Sequence, residues 1–228
     1  MITEVCQAIC IVTLASIAGV TAGQGNDSGL SETTGGIQLT LTPAELVGVE
    51  SAQAMQSMIA PDEDLTWEIY VPANYHPDDP AGLFIYISPT MSGEIPRWWQ
   101  PVMDEHNIVW IAASASGNRV RSARRATLAL LAPTVATRHY AIDSERIYLG
   151  GFSGGGKVAG MVAAGYPELF KGAIYICGVD SLKKSPPKNL DAFIRNRFVF
   201  LTGSKDVALD ETKRAYRQYR KSGVERIK

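Results

Sequence analysis

The chemistry-bearing residues with the most telling spacing lie in Gly151-Phe152-Ser153-Gly154-Gly155, a G-x-S-x-G pattern inside the stretch RIYLGGFSGGGKVAGMVAA. An apolar, strand-like run precedes it and a helical pattern follows. A serine at the tip of a sharp strand-to-helix turn takes strained backbone angles. The residues two before and two after must be small, because strand and helix approach closely there. The following helix supplies free N–H groups and the positive end of its dipole to a developing oxyanion. Gly154, next in the chain, is the candidate donor. Two other readings compete. One is a glycine-rich turn with an idle serine. The other is a phosphate loop, since Gly151 to Lys157 matches G-x-x-x-x-G-K, but Val158 stands where that loop needs a Mg²⁺-binding Ser or Thr.

Other reactive residue types are sparse. Cys6 and Cys10 lie in the first segment; Cys177 sits in AIYICG and reads as a small buried hydrophobe rather than a nucleophile. The three histidines, His76, His106 and His139, are far apart in sequence, and no metal-ligand spacing is present. No metal and no cofactor are expected. Trp98 and Trp99 open a helical segment; lining a substrate pocket and packing a core are even alternatives. Ser114-Ala-Ser-Gly-Asn118 leaves a strand at its end, making Asn118 a candidate substrate contact. Arg119, Arg121, Arg124 and Arg125 follow; they read as a solvated helix face, with an anionic substrate as the other option.

These residues are positioned by alternating elements. Gly36–Thr42 and Leu65–Val71 alternate polar and apolar residues, as half-exposed strands do. Leu83–Ile87 (LFIYI) and Ile108–Ala113 (IVWIAA) are continuous apolar runs, as in strands buried on both faces. Strands at Arg146–Gly150, Ala173–Cys177 and Phe198–Thr202 follow. Helices fall at Pro96–Glu105, Arg119–His139, Gly154–Ala164 and Asp210–Ser222. The fold class is α/β: antiparallel N-terminal strands, then β-α-β units forming a mostly parallel central sheet with helices on both faces. Ligand sites of such sheets lie at the carboxyl edge.

The chain has 228 residues and formal net charge −1, which gives no reason to expect nucleic acid or an acidic membrane as partner. Ala8 to Val20 is an uncharged apolar run ending in Val20-Thr21-Ala22, too short to span a bilayer of about 20 residues' depth. Residues 1–22 read as a signal peptide, although Glu4 and the lack of Lys or Arg before the run argue against it. Residues 23–35 then form a flexible lead and 36–228 one domain. The expected location is secreted or periplasmic, without stable membrane insertion after cleavage.

With its turn RIYLGGFSGGG, the chain resembles the α/β-hydrolase superfamily, and most of all secreted bacterial esterases of the polyhydroxybutyrate-depolymerase and feruloyl-esterase kind. The resemblance covers about residues 60–228. It implies ester hydrolysis through an acyl-enzyme on Ser153, with nucleophile, acid and histidine in that chain order, and a small-molecule or polymeric ester as substrate. In similar hydrolases the turn after a strand like Phe198–Thr202 carries the acid, here Asp206; Asp180 is the second choice. The second oxyanion donor comes from the loop after Leu83–Ile87. Relatives carry His-Gly there, whereas this chain has Ser88-Pro89-Thr90, which points to the Thr90 N–H. Each histidine precedes a strand, at the edge opposite Ser153. In relatives the base follows one more strand, which Gly223–Ile227 begins. The expectation is therefore a C-terminally incomplete domain, its last strand and histidine missing. A catalytically silent hydrolase fold used for binding is the alternative.

Overall fold

The computed structural model describes residues 30–228. The segment read as a signal peptide, and residues 23–29 of the lead, lie outside these. Strand β1 (Gly35–Leu41) is followed by two short helices, α1 (Pro43–Val47) and α2 (Val49–Ala54). Thr42 and Glu45 form a capping box at the first: the Glu45 N–H donates to Thr42 Oγ1, and the Thr42 N–H to Glu45 Oε2. After β2 (Leu65–Val71) and β3 (Ala81–Ile87) come a 3₁₀ turn (Arg97–Trp99) and α3 (Gln100–His106). The remaining order is β4 (Ile108–Ala113), α4 (Ser122–His139), β5 (Ile142–Phe152), α5 (Gly154–Gly165), β6 (Gly172–Ile176), α6 (Leu190–Arg195), β7 (Arg197–Leu201) and α7 (Leu209–Lys221).

One sheet orders the strands β1-β2-β4-β3-β5-β6-β7. β2 runs antiparallel to both neighbours; β4, β3, β5, β6 and β7 are mutually parallel. The α/β class, the antiparallel N-terminal strands and the parallel remainder thus stand as expected. The last residues also pair. Phe198 N–H donates to the Arg226 carbonyl (2.9 Å) and Lys228 N–H to the Phe198 carbonyl (3.0 Å), a parallel bridge beside β7. Gly223–Ile227 therefore does lead into strand pairing. The tail of the lead is tied down too, since Ser31 N–H donates to the His139 carbonyl (2.8 Å).

Strand alternation divides the core. Leu83, Ile85, Ile87, Val109, Ile111, Ile147, Leu149, Tyr175 and Phe198 face the side covered by α4, α5 and α7. There the buried hydroxyls of Tyr175 and Tyr219 meet at 3.0 Å, and Tyr219 packs edge-on to Phe198 and Phe200. On the other face Tyr70, Phe84, Trp110 and Ala112 pack with Ile95 and Met103 under α3. A groove of about 290 Å³, lined by Phe84, Trp99, Val102, Tyr148, Ile174 and Val199 among others, continues along that face. Helices on both faces are thus observed, unequally. Among the described residues no helix is long and apolar enough to cross a membrane.

Candidate active site

Ser153 follows β5 directly, at the N-cap position of α5, with φ 57° and ψ −119°, a left-handed value of φ that a non-glycine residue adopts only when its surroundings enforce it. What enforces it is close approach. A Cβ on Gly151 would stand 2.4 Å from the Gly155 carbonyl carbon, and one on Gly155 only 1.8 Å from the Ile87 carbonyl oxygen. Helix α5 is therefore pressed onto β5 and β3 at its first turn. The Ser153 N–H donates to the Ile176 carbonyl (2.8 Å), tying the bend to β6. The geometry is that expected from G-x-S-x-G. It disfavours a phosphate loop, because Lys157 Nζ is committed to Glu211 Oε2 at 2.8 Å.

Asp206 follows β7 and so stands at the same, carboxyl edge as Ser153. Its carboxyl is held below the ordinary carboxylate range, first by the Cys177 thiol and then by the Ala208 N–H, which donates to Oδ1 at 2.7 Å. Burial raises the Cys177 thiol above its ordinary value, and the hydrogen bond to Asp206 and its charge add to this. This corrects the sequence reading of Cys177 as a buried hydrophobe inside a strand. β6 stops at Ile176; Cys177 has φ 54° and is partly exposed. It physically links the two candidates: its N–H donates to the Leu201 carbonyl (2.8 Å), and its neighbour Gly178 abuts Ser153, whose carbonyl a Gly178 Cβ would approach to 2.4 Å. Asp180 lies after the same strand, with Lys184 Nζ at 3.9 Å.

The loops after β3 and β4 complete the rim. Asn118 is exposed, and its amide leans on Gly154, where a Cβ would stand 2.3 Å from Oδ1. Asn118 N–H donates to the Pro89 carbonyl (2.9 Å), and Ala115 N–H to the Met91 carbonyl (2.7 Å). Gly117 closes on Thr90, whose carbonyl oxygen a Cβ there would approach to 2.9 Å. Gly154, Asn118 and Thr90 are thereby brought together. The Thr90 N–H itself donates to Ser88 Oγ at 3.2 Å. Serving as an oxyanion donor would require it to exchange that partner.

The tryptophans separate. Trp99 stacks on Phe84 (5.5 Å between centroids, 19° between planes) and meets Trp110 at 5.8 Å, on the sheet face beneath α3. The helical turn thus aims Trp99 at the sheet, where it is half-buried and also lines the groove on that face. Trp98 is 76% exposed. The arginine run also departs from a uniform solvated face. Arg124 Nη1 donates to Glu63 Oε2 at 2.9 Å. Arg125 is only 3% exposed, and its guanidinium donates to two loop carbonyls, Ser116 (2.7 Å) and Ser88 (2.8 Å). Sequence reasoning missed this role. The available signal was helical spacing, which sets Arg125 on the apolar stripe of Leu128, Ala129, Ala132 and Ala136.

The three histidines sit at the opposite edge. His76 precedes β3, His106 ends α3 just before β4, and His139 ends α4 just before β5. A strand of seven residues such as β3 spans about 20 Å at roughly 3.3 Å per residue. A general base must stand within about 3 Å of the hydroxyl or act through one water. Burial, and then the Arg138 charge, lower the His139 imidazole below its ordinary value. Among the described residues no group of three or more His, Cys, Asp and Glu is placed to hold a metal ion.

Comparison with known proteins agrees with this architecture. Residues 129–224, fewer than half of the chain, match the model of the prolyl oligopeptidase family. No curated protein matches. Among solved structures, a thermostable esterase superposes with TM-score 0.59 at 17% identity over 85% of this chain and 54% of its own, so this chain spans about half of that protein's length. A ferulic acid esterase gives TM-score 0.61 at 12% identity, over 85% of this chain and 88% of its own. A poly(3-hydroxybutyrate) depolymerase from Bordetella parapertussis gives 0.57 at 15% identity, over 85% and 80%. At these identities the likeness establishes the architecture alone, and with the sheet order and the bend at Ser153 it shows that the chain has the α/β-hydrolase fold.

Proposed function

We propose that this chain is the core of a serine hydrolase that cleaves carboxylic esters through an acyl-enzyme on Ser153. The observation that carries the reading is the strained backbone of Ser153 at the tip of β5, facing the rim that also holds Asp206. In this reading Gly154 N–H and a backbone donor of the Ser88–Met91 loop receive the oxyanion. Asp206 orients an imidazole and balances its cation. None of His76, His106 and His139 is that imidazole, because each stands at the far edge. The imidazole that Asp206 would orient is therefore not among the described residues, and residues 1–228 alone turn over at a residual rate at most. Loss of a triad member costs up to about 10⁶ in kcat.

Ester rather than peptide cleavage is supported by solved structures described as a ferulic acid esterase and a depolymerase. The match to the prolyl oligopeptidase model favours the second reading, peptide cleavage by the same machinery. A p-nitrophenyl ester and a Gly-Pro p-nitroanilide, offered in parallel, separate the two. A fluorophosphonate probe with peptide mapping tests the shared premise. The product of the whole encoding gene should carry the adduct on Ser153. Labelling that survives Ser153→Ala removes Ser153 as the nucleophile, and an inert product leaves the silent binding fold as the better description.

A further inference from the structure

A guanidinium with nine-tenths of its surface buried normally meets a carboxylate, since a buried charge without a partner is costly. Arg125 meets carbonyls instead. Its Nε donates to the carbonyl of Ser116 (2.7 Å) and its Nη2 to that of Ser88 (2.8 Å). These carbonyls belong to two different loops, one leaving β3 and the other leaving β4. Each loop continues within two residues to the candidate site: Ser88 to Thr90, and Ser116 to Asn118, which leans on Gly154. The same guanidinium runs beneath the first turn of α5, since a Cβ on Gly155 would stand 3.5 Å from Nη2. One side chain therefore touches the supports of all three parts of the rim.

We infer that Arg125 is a positioning residue that locks the loop after β3 to the loop after β4 under the start of α5, holding the oxyanion donors in register. The inference rests on the hydrolase reading only for its catalytic consequence; the mechanical link stands on the contacts themselves. The arginine fork suits the task because its N–H groups diverge in one plane and reach two acceptors at once, which a lysine ammonium on a flexible stem does less well. Burial lowers the Arg125 pKa from its ordinary value, yet arginine keeps its proton in proteins. The charge is thus permanent, and it lies on the side of α5 where its N–H groups emerge. A packing role alone would be met by another apolar residue on the stripe of Leu128 and Ala132.

Two amides report the lock directly. Ala115 N–H and Asn118 N–H each donate across the two loops, to Met91 and Pro89. NMR-monitored hydrogen exchange of residues 1–228 should show these two amides exchanging at least tenfold faster in Arg125→Gln and in Arg125→Lys, while amides inside β5 and α5 keep wild-type protection. Val135→Ala, on the same helix but remote from the loops, should raise exchange by one common factor throughout. Wild-type protection at Ala115 and Asn118 in Arg125→Lys, or a loss in Arg125→Gln spread evenly over the domain, overturns the inference. Should Arg125→Gln fail to fold, Arg125→Lys decides. In the product of the whole encoding gene, the same substitutions should lower kcat by about 10²-fold with KM within twofold, the signature of a displaced oxyanion donor. An unchanged kcat overturns the catalytic consequence. If the wild type itself proves inert, the hydrolase reading falls and the exchange experiment still judges the lock.

Discussion

Two glycines of α5 should respond to alanine in opposite directions. Gly155 lies in the first turn of the helix, and an added Cβ would stand 1.8 Å from the Ile87 carbonyl oxygen. Van der Waals contact requires well over an ångström more. The acceptor cannot yield, because β3 is bracketed by β4 and β5 and its backbone is held on both sides. The helix must move instead, which separates it from the sheet at the bend holding Ser153. Overpacking of this kind costs about 1–3 kcal/mol, occasionally more. For a domain of this size, roughly 2–4 °C of melting temperature accompany each kcal/mol, so Gly155→Ala should melt about 2–12 °C below wild type. Gly165, the last residue of the same helix, has open space where a Cβ would be added, with no atom within 4 Å, and no positive φ. There alanine only removes unfolded-state freedom and improves helix propensity, worth up to about 1 kcal/mol. Gly165→Ala should therefore melt level with wild type or a few degrees above it. Differential scanning calorimetry of the two variants at one pH makes the comparison. Equal shifts, or a Gly155→Ala that melts with wild type, would refute the claim that α5 is clamped against β3.

Three further outcomes follow from contacts already described. Gly154→Ala meets only the end of the Asn118 side chain, which can swing away, so it should cost under about 1 kcal/mol in urea titration; a loss as large as that of Gly155→Ala would contradict this. Tyr219→Phe leaves the buried Tyr175 hydroxyl without its partner and should cost about 1–3 kcal/mol; a neutral effect would show that the hydroxyl pair contributes nothing. Asp206 has a folded pKa below its ordinary 3.8, so its stabilising contribution is fully present above that value and lost as pH falls through the lower folded one. The stability difference between wild type and Asp206→Asn should therefore be constant near neutrality and shrink only below about pH 4, and a difference that grows on acidification would reverse the sign.

Much of this architecture was legible because strand burial writes itself into sequence. Leu83–Ile87 and Ile108–Ala113 are apolar at every position since both faces of the central strands are covered, and the sheet places them side by side. The bend at Ser153 was legible because only glycine tolerates the approach distances around it. Helices α1 and α2 were not anticipated, although Thr42-Pro-Ala-Glu45 is a capping-box signature; such short helices have little periodicity to read. α6, capped by Asn189, was missed for the same reason. The end of β6 was misjudged by one residue because the turn at Cys177 uses a left-handed conformation that its residue type does not advertise. Arg125 was misjudged, and Trp99 was left evenly between pocket and core, for a shared reason. Charge or size suggested exposure or a pocket, while tertiary packing turned one onto two loop carbonyls and the other onto Phe84.

The central claim is that the Ser153 hydroxyl, held at the bend, is the group that attacks an ester. Steady-state hydrolysis of p-nitrophenyl acetate by the product of the whole encoding gene, wild type against Ser153→Ala, tests it most directly. The account requires the substitution to lower kcat by at least about 10³-fold with the melting temperature unchanged. Equal rates in the two proteins would contradict it.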